Sequence, residues 1–546
     1  MQKSGAISRG ISFGNNQDVV VNSNLNLQLS GKIGDNIELT AAITDDNIPI
    51  QPDGNTQQLQ DFDRVYIQLA NENTKLIAGD FQINRPESYF MNFNKRLKGG
   101  SFSTKFDALK NTEGKVIATN KISASIAIAR GRFARNQIQG VEGNQGPYRL
   151  RGNNNEVFII ILSGSEKVYI DGRLLKRGQE NDYVIDYNTA EITFTSKILV
   201  TKDLRLFVEF EYADNNFSRT LYHFSDAFET EKLKLVFNAY SEQDLKNQPL
   251  QQSLEAPELA LLDTIGDNLT LAVIPNVDTV VYTNNQILYT AVDTLVNGVP
   301  TIKYKYSSDS LIAKFRVGFS NVGLFNGNYV QVNTLANGKV YQWIDPVNGV
   351  RQGSFEPVVQ LVPPRKRQMF TLGGEYKLGQ TLKAGFEAAY SVNDINTLSD
   401  KDSQDDGDVA FRVYMQKLTK LNPKDTVDPW TLNTTVNYEQ VNKNFTALER
   451  FRNVEFDRDW NLRTLTQPAT QHLPSIALGV GNKRNGSVNY RFTSFLGGAE
   501  YTAFQNAYNT DLHLKDYHLA FNGSQTQSKG LAQNTFLSAT GRTCIR

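Results

Sequence analysis

Stretches in which apolar and polar residues alternate one by one constrain the fold of this chain more than any other feature of its sequence. Residues 24–30 alternate leucine with Asn, Gln and Ser, and residues 37–43 resume the pattern after the turn residues Gly34-Asp35-Asn36. Successive side chains of a β-strand point to opposite faces, so each leg has one apolar and one polar face. Each leg has roughly ten residues, the length that a tilted strand needs to cross a lipid bilayer. The pattern therefore predicts long amphipathic hairpins.

The same alternation returns along the rest of the chain, at 65–69, 122–128, 315–319, 382–388, 432–438, 488–492 and 512–521. Such hairpins must pair into a sandwich or close into a barrel, because an open sheet leaves unpaired backbone groups at its edges. A sandwich hides its apolar face, whereas a membrane barrel turns that face to lipid and lines its lumen with polar groups. The predicted fold class is all-β, with antiparallel strands of an outer-membrane-type β-barrel and an inserted small β domain.

The composition excludes several other classes of protein. Lys and Arg together number 57, as do Asp and Glu, so no net charge attracts the chain to nucleic acid. A mean hydropathy of -0.42 is too polar for a helical membrane protein, and no apolar run is long enough for a transmembrane helix. The single cysteine, Cys544, allows neither an internal disulfide nor a zinc–thiolate cluster.

Two stretches break the alternation and divide the chain. The first contains the apolar run 157–162, which suits a strand buried on both faces in a small sandwich. The second begins with a short predicted helix within 249–262, which Ser253 could cap. The five predicted segments are first barrel hairpins at 1–145, an inserted small β domain at 146–213, barrel strands at 214–246, a long loop or lid insertion at 247–310, and further barrel hairpins at 311–546.

The two ends of the sequence predict a piece of a longer protein. Residues 1–5 lack the apolar stretch of a signal peptide. Because a barrel must be exported, either the signal was removed or the chain begins inside a longer protein. Residues 541–546 lack the terminal aromatic residue that is typical of complete outer-membrane barrels, so we expect a truncated C-terminus.

Several segments resemble a known group of proteins. These are residues 8–18, Gly54-Asn55-Thr56-Gln57, residues 62–67, and residues 164–194 with the sequence Asp182-Tyr183-Val184-Ile185-Asp186-Tyr187. Together they resemble large, poorly characterised outer-membrane β-barrel proteins of Bacteroidota-type bacteria. The module around Asp182 is similar to small β domains of surface and secretion-related barrels in that group, including the gliding and type 9 secretion translocon. The resemblance implies a location in the outer membrane of a Gram-negative bacterium and supplies no catalytic residues.

The acidic loop at 400–408 is the strongest candidate for a metal site in the sequence, because carboxylates suit calcium. An EF-hand is excluded there, since Asp405 stands where the loop needs glycine and Phe411 where it needs glutamate. The loop also reads as an ordinary solvated turn, and we predict no metal site.

The four histidines are His223, His472, His513 and His518. None has the HxxxH or HExxH spacing of a zinc motif. His513 and His518 lie five apart, which on one strand places them on opposite faces, so no site is predicted from them.

Other notable residues have structural interpretations. Asp186 suits a turn and Tyr187 a packed ring, while the basic cluster at 365–367 suits either lipid headgroups or a solvated strand start. Eight aromatic residues near predicted strand ends suggest an interfacial girdle: Tyr89, Phe90, Phe93, Tyr212, Phe217, Tyr222, Phe224 and Trp460.

The sequence contains no GxSxG, phosphate-binding or dinucleotide-binding motif, so no catalytic or cofactor-binding residue is predicted and no cofactor is expected. We predict a non-enzymatic outer-membrane β-barrel that acts in transport, secretion or envelope structure, with a periplasmic or lumenal β domain at 146–213. Its expected partners are outer-membrane lipid and other envelope or secretion proteins, with no nucleic acid. The alternative is a soluble, surface-exposed β-sandwich adhesin or glycan-binding protein, and a glycosidase-like hydrolase ranks last.

Overall fold

The computed structural model divides the chain into two compact units, one formed by residues 1–250, 365–394 and 404–546 and the other by 251–364 and 395–403. The fold is all-β and antiparallel. No helix among the described residues is long and apolar enough to cross a membrane. The described residues are 2–14, 17–33, 36–46, 65–129, 131–153, 156, 159–213, 217–249, 254–283, 286–296, 298–334, 338–425, 427–462, 468–499, 501–514, 517–530 and 533–545.

The first unit begins with hairpins of one large sheet, each strand pairing with the next along the chain. Alternating apolar and polar residues favour these strands, and turn residues such as Asn71 separate them. The first strands are β1 (Gln2–Gly14), β2 (Gln17–Ile33), β3 (Ile37–Asp46), β4 (Val65–Ala70), β5 (Thr74–Ile83), β6 (Lys95–Lys110) and β7 (Val116–Ala129).

A small domain of two sheets follows β7. Its strands are β8 (Gly131–Gln139), β9 (Tyr148–Arg149), β10 (Lys167–Ile170), β11 (Arg173–Leu174), β12 (Tyr183–Asp186), β13 (Glu191–Phe194) and β14 (Arg205–Ala213). In the described residues one sheet has the order β11-β10-β14-β8 and the other β12-β13-β9. Both contribute side chains to one apolar core, which includes Val168, Ile185, Ile192, Val208 and Phe210.

The large sheet resumes with β15 (Phe217–Thr230), which pairs with β7, and β16 (Leu233–Pro249). The chain then forms the second unit. Its elements are α1 (Ala256–Ile265), a 3-10 turn (Leu269–Leu271), β17 (Val273–Pro275), β18 (Val277–Thr279), β19 (Tyr289–Val296), β20 (Val299–Tyr306), β21 (Phe315–Val317), β22 (Ser320–Asn321), β23 (Tyr329–Val332), β24 (Val340–Trp343), β25 (Phe355–Glu356) and β26 (Val358–Gln360). Buried Tyr289 and Tyr329 contact other aromatic rings in this unit, including Phe319.

The remaining strands return to the large sheet. They are β27 (Lys366–Lys377), β28 (Leu382–Asp394), β29 (Gly407–Lys420), β30 (Thr431–Val441), β31 (Gln471–Asn482), β32 (Gly486–Gly497), β33 (Tyr501–Leu514), β34 (Tyr517–Lys529) and β35 (Gln533–Ile545), with the short helix α2 (Phe456–Asp459) between β30 and β31. Strand β27 pairs with β16, so the two insertions leave the succession of neighbours unbroken. Within the described residues the large sheet has eighteen strands, and β1 and β35 stand at the two ends of the pairing order.

The two ends of the large sheet differ in their connections. At one end, the short-turn end, the connections are brief, such as 71–73, 111–115, 231–232, 378–381 and 483–485. At the other, the long-loop end, they include 84–94, the small domain, the second unit and 442–470. Every large insertion therefore leaves the sheet at the same end.

The structure differs from three expectations drawn from the sequence. The small domain begins at β8, because this strand pairs along β14 and belongs to its sheet. The second insertion runs to Pro364, and the alternating segment at 315–319 forms β21 there, paired with β18 instead of with a barrel strand. In the described part of the run 157–162, Ile159 and Ile161 are buried but Ile160 is 50% exposed, so this segment is not buried on both faces as expected.

The predicted short helix is present as α1, one turn later than expected, with Glu255 at its N-cap. The predicted cap Ser253 lies outside the described residues, as do Gly34, Asp35, the segment 54–57, residues 62–64, and Val157 and Phe158.

Candidate functional site

The two faces of the large sheet have opposite character, and β7 illustrates the difference. Ile126 and Ile128 are 56% and 59% exposed, whereas Ala127 and Ala129 on the other face are buried. Exposed apolar residues continue on the same face of the other strands: Ile67, Leu76, Phe102, Phe237, Phe370, Leu372, Phe386, Val413, Met415, Val436, Ile476, Leu478, Val488, Phe504, Leu519 and Phe521. We call this the apolar face and the opposite one the polar face.

Two connections from the long-loop end fold back over the polar face. We call residues 84–94 the short plug loop and residues 442–462 the long plug loop. The side chain of Glu387 on β28 holds the short one: its carboxylate accepts hydrogen bonds from the Ser88 hydroxyl at 2.5 Å and from the backbone N–H groups of Tyr89 and Phe90 at 2.8 to 3.0 Å. The hydroxyl of Ser88 also accepts the N–H of Met91 at 2.8 Å.

The reach of the short plug loop shows that the sheet curves around its polar face. The hydroxyl of Tyr89 donates to Glu439 on β30 at 2.7 Å, and eight strand-to-strand steps separate β5 from β30. A flat sheet would place those strands roughly 38 Å apart. The six residues from Ile83 to Tyr89 extend about 21 Å at most, to which two side chains add roughly 10 Å. The contact is therefore possible only because the sheet bends.

The two plug loops pack on each other through aromatic rings and an ion pair. Phe90 lies edge-on to Phe445 and Phe451, with ring centroids 5.8 and 5.3 Å apart. The guanidinium of Arg452 donates twice to Glu439, at 2.8 and 2.6 Å, beside the Tyr89 hydroxyl. Because these groups are almost entirely removed from water, losing one partner leaves a buried charge unpaired.

Buried charges also line the polar face where β6 and β16 reach the long-loop end. The ammonium of Lys95 lies 2.9 Å from a Glu242 oxygen and 3.7 Å from Glu211. Arg219 lies 2.7 Å from Asp244 and 3.9 Å from Glu242. Burial raises the pKa of the Glu211 carboxyl to about 7, although Lys95 opposes that rise. The cluster joins the large sheet to β14 of the small domain.

The small domain also contacts the long plug loop. Arg450 of the loop donates to Glu209 on β14 at 2.6 Å and to the hydroxyl of Tyr169 on β10 at 3.3 Å. In return, Arg205 of the domain donates to Glu455 at 3.0 Å. These pairs tie the domain and the loop into one plug at the long-loop end.

Beyond the plug, the polar face continues as an open cavity of about 650 Å³ between β30 and β35. Amide and hydroxyl side chains dominate its lining, including Asn433, Thr435, Asn489, Gln505, Asn509, Asn522, Ser524 and Ser538. The amide of Asn489 donates to Asn509, which in turn bonds Asn522. A second cavity of about 530 Å³ shares Gln505, Ser524 and Ser538 with the first and reaches Arg458 of the long plug loop.

The predicted aromatic girdle is mostly wrong. Five of its eight residues are buried to 5% exposure or less: Phe90, Phe93, Tyr212, Phe217 and Trp460. These five residues lie in the plug loops, in the small domain, or where these parts contact the large sheet. Other protein groups therefore cover them, and they do not face lipid. Tyr222 and Phe224 on β15 are exposed on the apolar face, as a girdle requires.

The basic cluster and the small-domain turn have structural roles. The guanidinium of Arg367 donates to the carbonyl oxygens of Ala447 and Leu448, both at 2.9 Å, and so anchors the long plug loop to β27. Asp186 accepts the N–H groups of Asn188 and Thr189, which is the turn role that its sequence context suggests.

The acidic loop contributes a structural carboxylate. Asp408 accepts the side-chain amide of Asn442 at 2.9 Å and the N–H of Asn444 at 3.1 Å, and so positions the start of the long plug loop. Asp400 and Asp402 are exposed.

The histidines are not distributed as the sequence suggested. His513 and His518 are direct cross-strand partners in the β33–β34 hairpin, with stacked rings 4.4 Å apart, and not residues on opposite faces. The five-residue spacing is misleading because the chain reverses between them. His223 is buried with its ring 5.6 Å from Phe93, and His472 bonds the hydroxyl of Tyr438 at 2.9 Å.

Comparison with known proteins adds one match of limited extent. A family model described as a domain of unknown function (DUF8818) matches residues 133–214, which is the small domain. No curated protein matches the sequence.

Solved structures of outer-membrane proteins show weak similarity over the whole chain. Wzi, an outer membrane protein involved in group 1 capsule assembly in Escherichia coli and a carbohydrate-binding β-barrel, is 8% identical with a TM-score of 0.29, covering 100% of this chain and 83% of Wzi. OmpT of Vibrio cholerae is 6% identical with a TM-score of 0.21, covering 99% and 92%. The translocation pore of the P pilus usher PapC is 9% identical with a TM-score of 0.15, covering 100% and 96%. TM-scores this low support no conclusion about function. The function proposed below rests on the geometry of the large sheet.

Proposed function

We propose that this protein is a non-enzymatic outer-membrane β-barrel that acts in transport, secretion or envelope structure, with a passage that the plug closes at the long-loop end. One observation carries the proposal: the strands of the large sheet expose Ile, Leu, Val and Phe on one face. The other face holds buried charges and a cavity lined mainly by amides and hydroxyls, with an apolar cluster where the plug loops pack. Burying a Leu, Ile or Phe side chain stabilises a protein by about 1.5–3 kcal/mol relative to leaving it in water. A sheet face that exposes so many apolar side chains is therefore expected to contact lipid.

The asymmetry of the two ends supports an orientation. Outer-membrane barrels have short periplasmic turns and longer extracellular loops. On that rule the short-turn end faces the periplasm, and the small domain and both plug loops leave the barrel on the cell surface. The sequence alone suggested a periplasmic or lumenal small domain, and this arrangement favours the opposite side.

The plug would act by docking and release, without bond chemistry. In the closed state, Glu387 holds the short plug loop, Arg367 holds the long one, and Arg450 links the latter to the small domain. A partner that bound the small domain more tightly in a displaced position would shift the population toward an open passage. The mostly amide and hydroxyl lining between β30 and β35, which also includes Arg491, suits a hydrated cargo.

The soluble adhesin alternative requires stacked sandwiches with hidden apolar faces. The small domain has that construction, but the large sheet does not. The Bacteroidota-type origin and the involvement of secretion partners rest on the resemblance of residues 164–194 and remain part of the proposal.

The proposal is tested by producing the chain with an export signal and separating the cell membranes. We expect the protein in the outer-membrane fraction, with a mobility on gels that changes after heating, as closed barrels show. If the protein were found in the soluble fraction and its gel mobility did not change on heating, the result would contradict the proposal and favour the adhesin. A soluble periplasmic sandwich protein produced with the same signal is the control for export.

A further inference from the structure

The β33–β34 hairpin brings together three side chains that the plug does not use. Leu514 pairs with Tyr517 and His513 with His518, so the two imidazoles lie side by side across the strands, with their planes 17° apart. Asp511 stands two residues before His513 on the same strand and therefore on the same face. It is the diagonal neighbour of His518, a separation that long side chains can bridge.

We propose that Asp511, His513 and His518 form a binding site for a divalent transition metal of the Zn²⁺ class. The Nε2 atoms of His513 and His518 lie 3.4 and 3.0 Å from the same carboxylate oxygen of Asp511. One ligand atom from each residue falls within 4.8 Å of the others. Zn–N and Zn–O distances near 2.1 Å place neighbouring ligands of a tetrahedral ion about 3.3–3.5 Å apart, so the group needs only small adjustments.

The chemistry of the donors selects the kind of ion. Imidazole nitrogens suit zinc, copper and nickel, whereas calcium and magnesium prefer sites made of oxygen alone. Three protein ligands leave a fourth position for water or an incoming group, the pattern of an open zinc site. The exposed fractions of the three side chains, 55% for Asp511, 45% for His513 and 34% for His518, give an ion direct access from solvent.

A simpler arrangement uses the same atoms. Each imidazole could donate its Nε2–H to Asp511, and the cluster would then only brace the hairpin. The two arrangements differ in a measurable way, because a metal must displace both protons and the hydrogen-bonded cluster binds no ion.

The test uses the full chain purified with a tag free of histidine, with Cys544 kept because it is the cross-strand partner of His518. Zn²⁺ binding is followed by calorimetry, and Co²⁺ binding by its visible absorption. We expect one saturable site, with intense Co²⁺ bands that Zn²⁺ abolishes and Ca²⁺ leaves unchanged. The variants H513Q and H518Q should each weaken Zn²⁺ binding at least about tenfold, since even indirect partners of a metal contribute that much.

The matched control is H472Q, which removes an imidazole elsewhere in the large sheet and should leave the affinity unchanged. Far-UV circular dichroism shows whether each variant keeps the β structure of the parent protein. No saturable Zn²⁺ binding in the parent protein, or equal affinity in H513Q, H518Q and H472Q, would overturn the proposal. The measurement does not depend on the membrane location, so its outcome is separate from that of the proposed function.

Discussion

The carboxylate of Glu387 receives the backbone N–H of Tyr89 on both of its oxygens, at 2.9 and 2.8 Å, although 298 residues separate the two along the chain. The carboxylate belongs to the polar face of β28. The N–H belongs to the loop that precedes β6, and β6 lies five strand-to-strand steps from β28 by way of β27, β16, β15 and β7. A single acidic side chain thus fastens the short plug loop across the curved sheet.

Replacing Glu387 by alanine should release the short plug loop. The change leaves buried N–H groups of the loop without an acceptor, which costs about 1–3 kcal/mol. We expect faster amide hydrogen exchange at residues 84–94 and a higher ion conductance of the protein in planar bilayers. The control is Glu229→Ala, which removes an exposed carboxylate near the short-turn end. Unchanged exchange and conductance in Glu387→Ala would show that this carboxylate does not hold the plug closed.

The contact between the small domain and the large sheet should weaken as the pH rises from about 4.5 to 7. The pKa of Glu211 is about 7 in the folded protein, above the ordinary carboxyl value of 4.5, so the folded state holds a proton that the unfolded state has lost. Stability contributed by this group is therefore present at low pH and falls between about pH 4.5 and 7. Amide exchange in β8 and β14, corrected for the intrinsic effect of pH, should quicken over that range.

The variant Glu211→Gln keeps the side chain neutral and should remove most of this pH dependence. Glu180→Gln, at an exposed carboxylate of the same domain, should retain it. An identical pH profile in Glu211→Gln and the parent protein would assign the effect to other groups of the cluster, such as Glu449, whose pKa burial also raises.

Two neighbouring isoleucines should differ sharply in their contribution to the small domain. Ile161 is 2% exposed and belongs to the core, whereas Ile160 is 50% exposed. Ile161→Ala should cost about 2–5 kcal/mol, because it removes apolar contacts and leaves a cavity. Ile160→Ala should stay within about 0.5 kcal/mol, as surface changes usually do. Limited proteolysis of the full chain, followed at the small domain, distinguishes the two, and equal rates would contradict the assignment of faces.

Arginine should be tolerated on one face of the large sheet and not on the other. Leu372 on β27 is 48% exposed on the apolar face, while Asn433 on β30 lines the polar cavity. An arginine that faces the middle of a bilayer costs about 2–4 kcal/mol. Leu372→Arg should therefore reduce the heat-modifiable form in the membrane fraction, and Asn433→Arg should leave it unchanged. The reverse result would mean that the apolar face does not contact lipid.

The alternation of residues by itself determined the antiparallel all-β class and the two unlike faces, because the direction of a strand side chain follows from its position alone. Composition and turn residues also located the small domain and the helix α1 approximately. The boundary at β8 was missed, since the pairing of β8 with β14 joins segments more than sixty residues apart. For the same reason, the alternating segment at β21 gave no sign that its partner is β18 of the second unit.

Only the tertiary structure decided which connections return to the sheet. The sequence around Phe90 and Trp460 is compatible with a membrane girdle. The ring partner of Phe90 is Phe451 of the other plug loop, and that of Trp460 is Phe495 on β32. Likewise, the charges of Lys95, Glu242 and Arg450 are ordinary in the sequence and become a plug only through long-range contacts. His513 and His518 face each other because of hairpin register, which a turn sets and which linear spacing does not reveal. Local periodicity dictates where a side chain points, but the partner it meets depends on how distant strands pair.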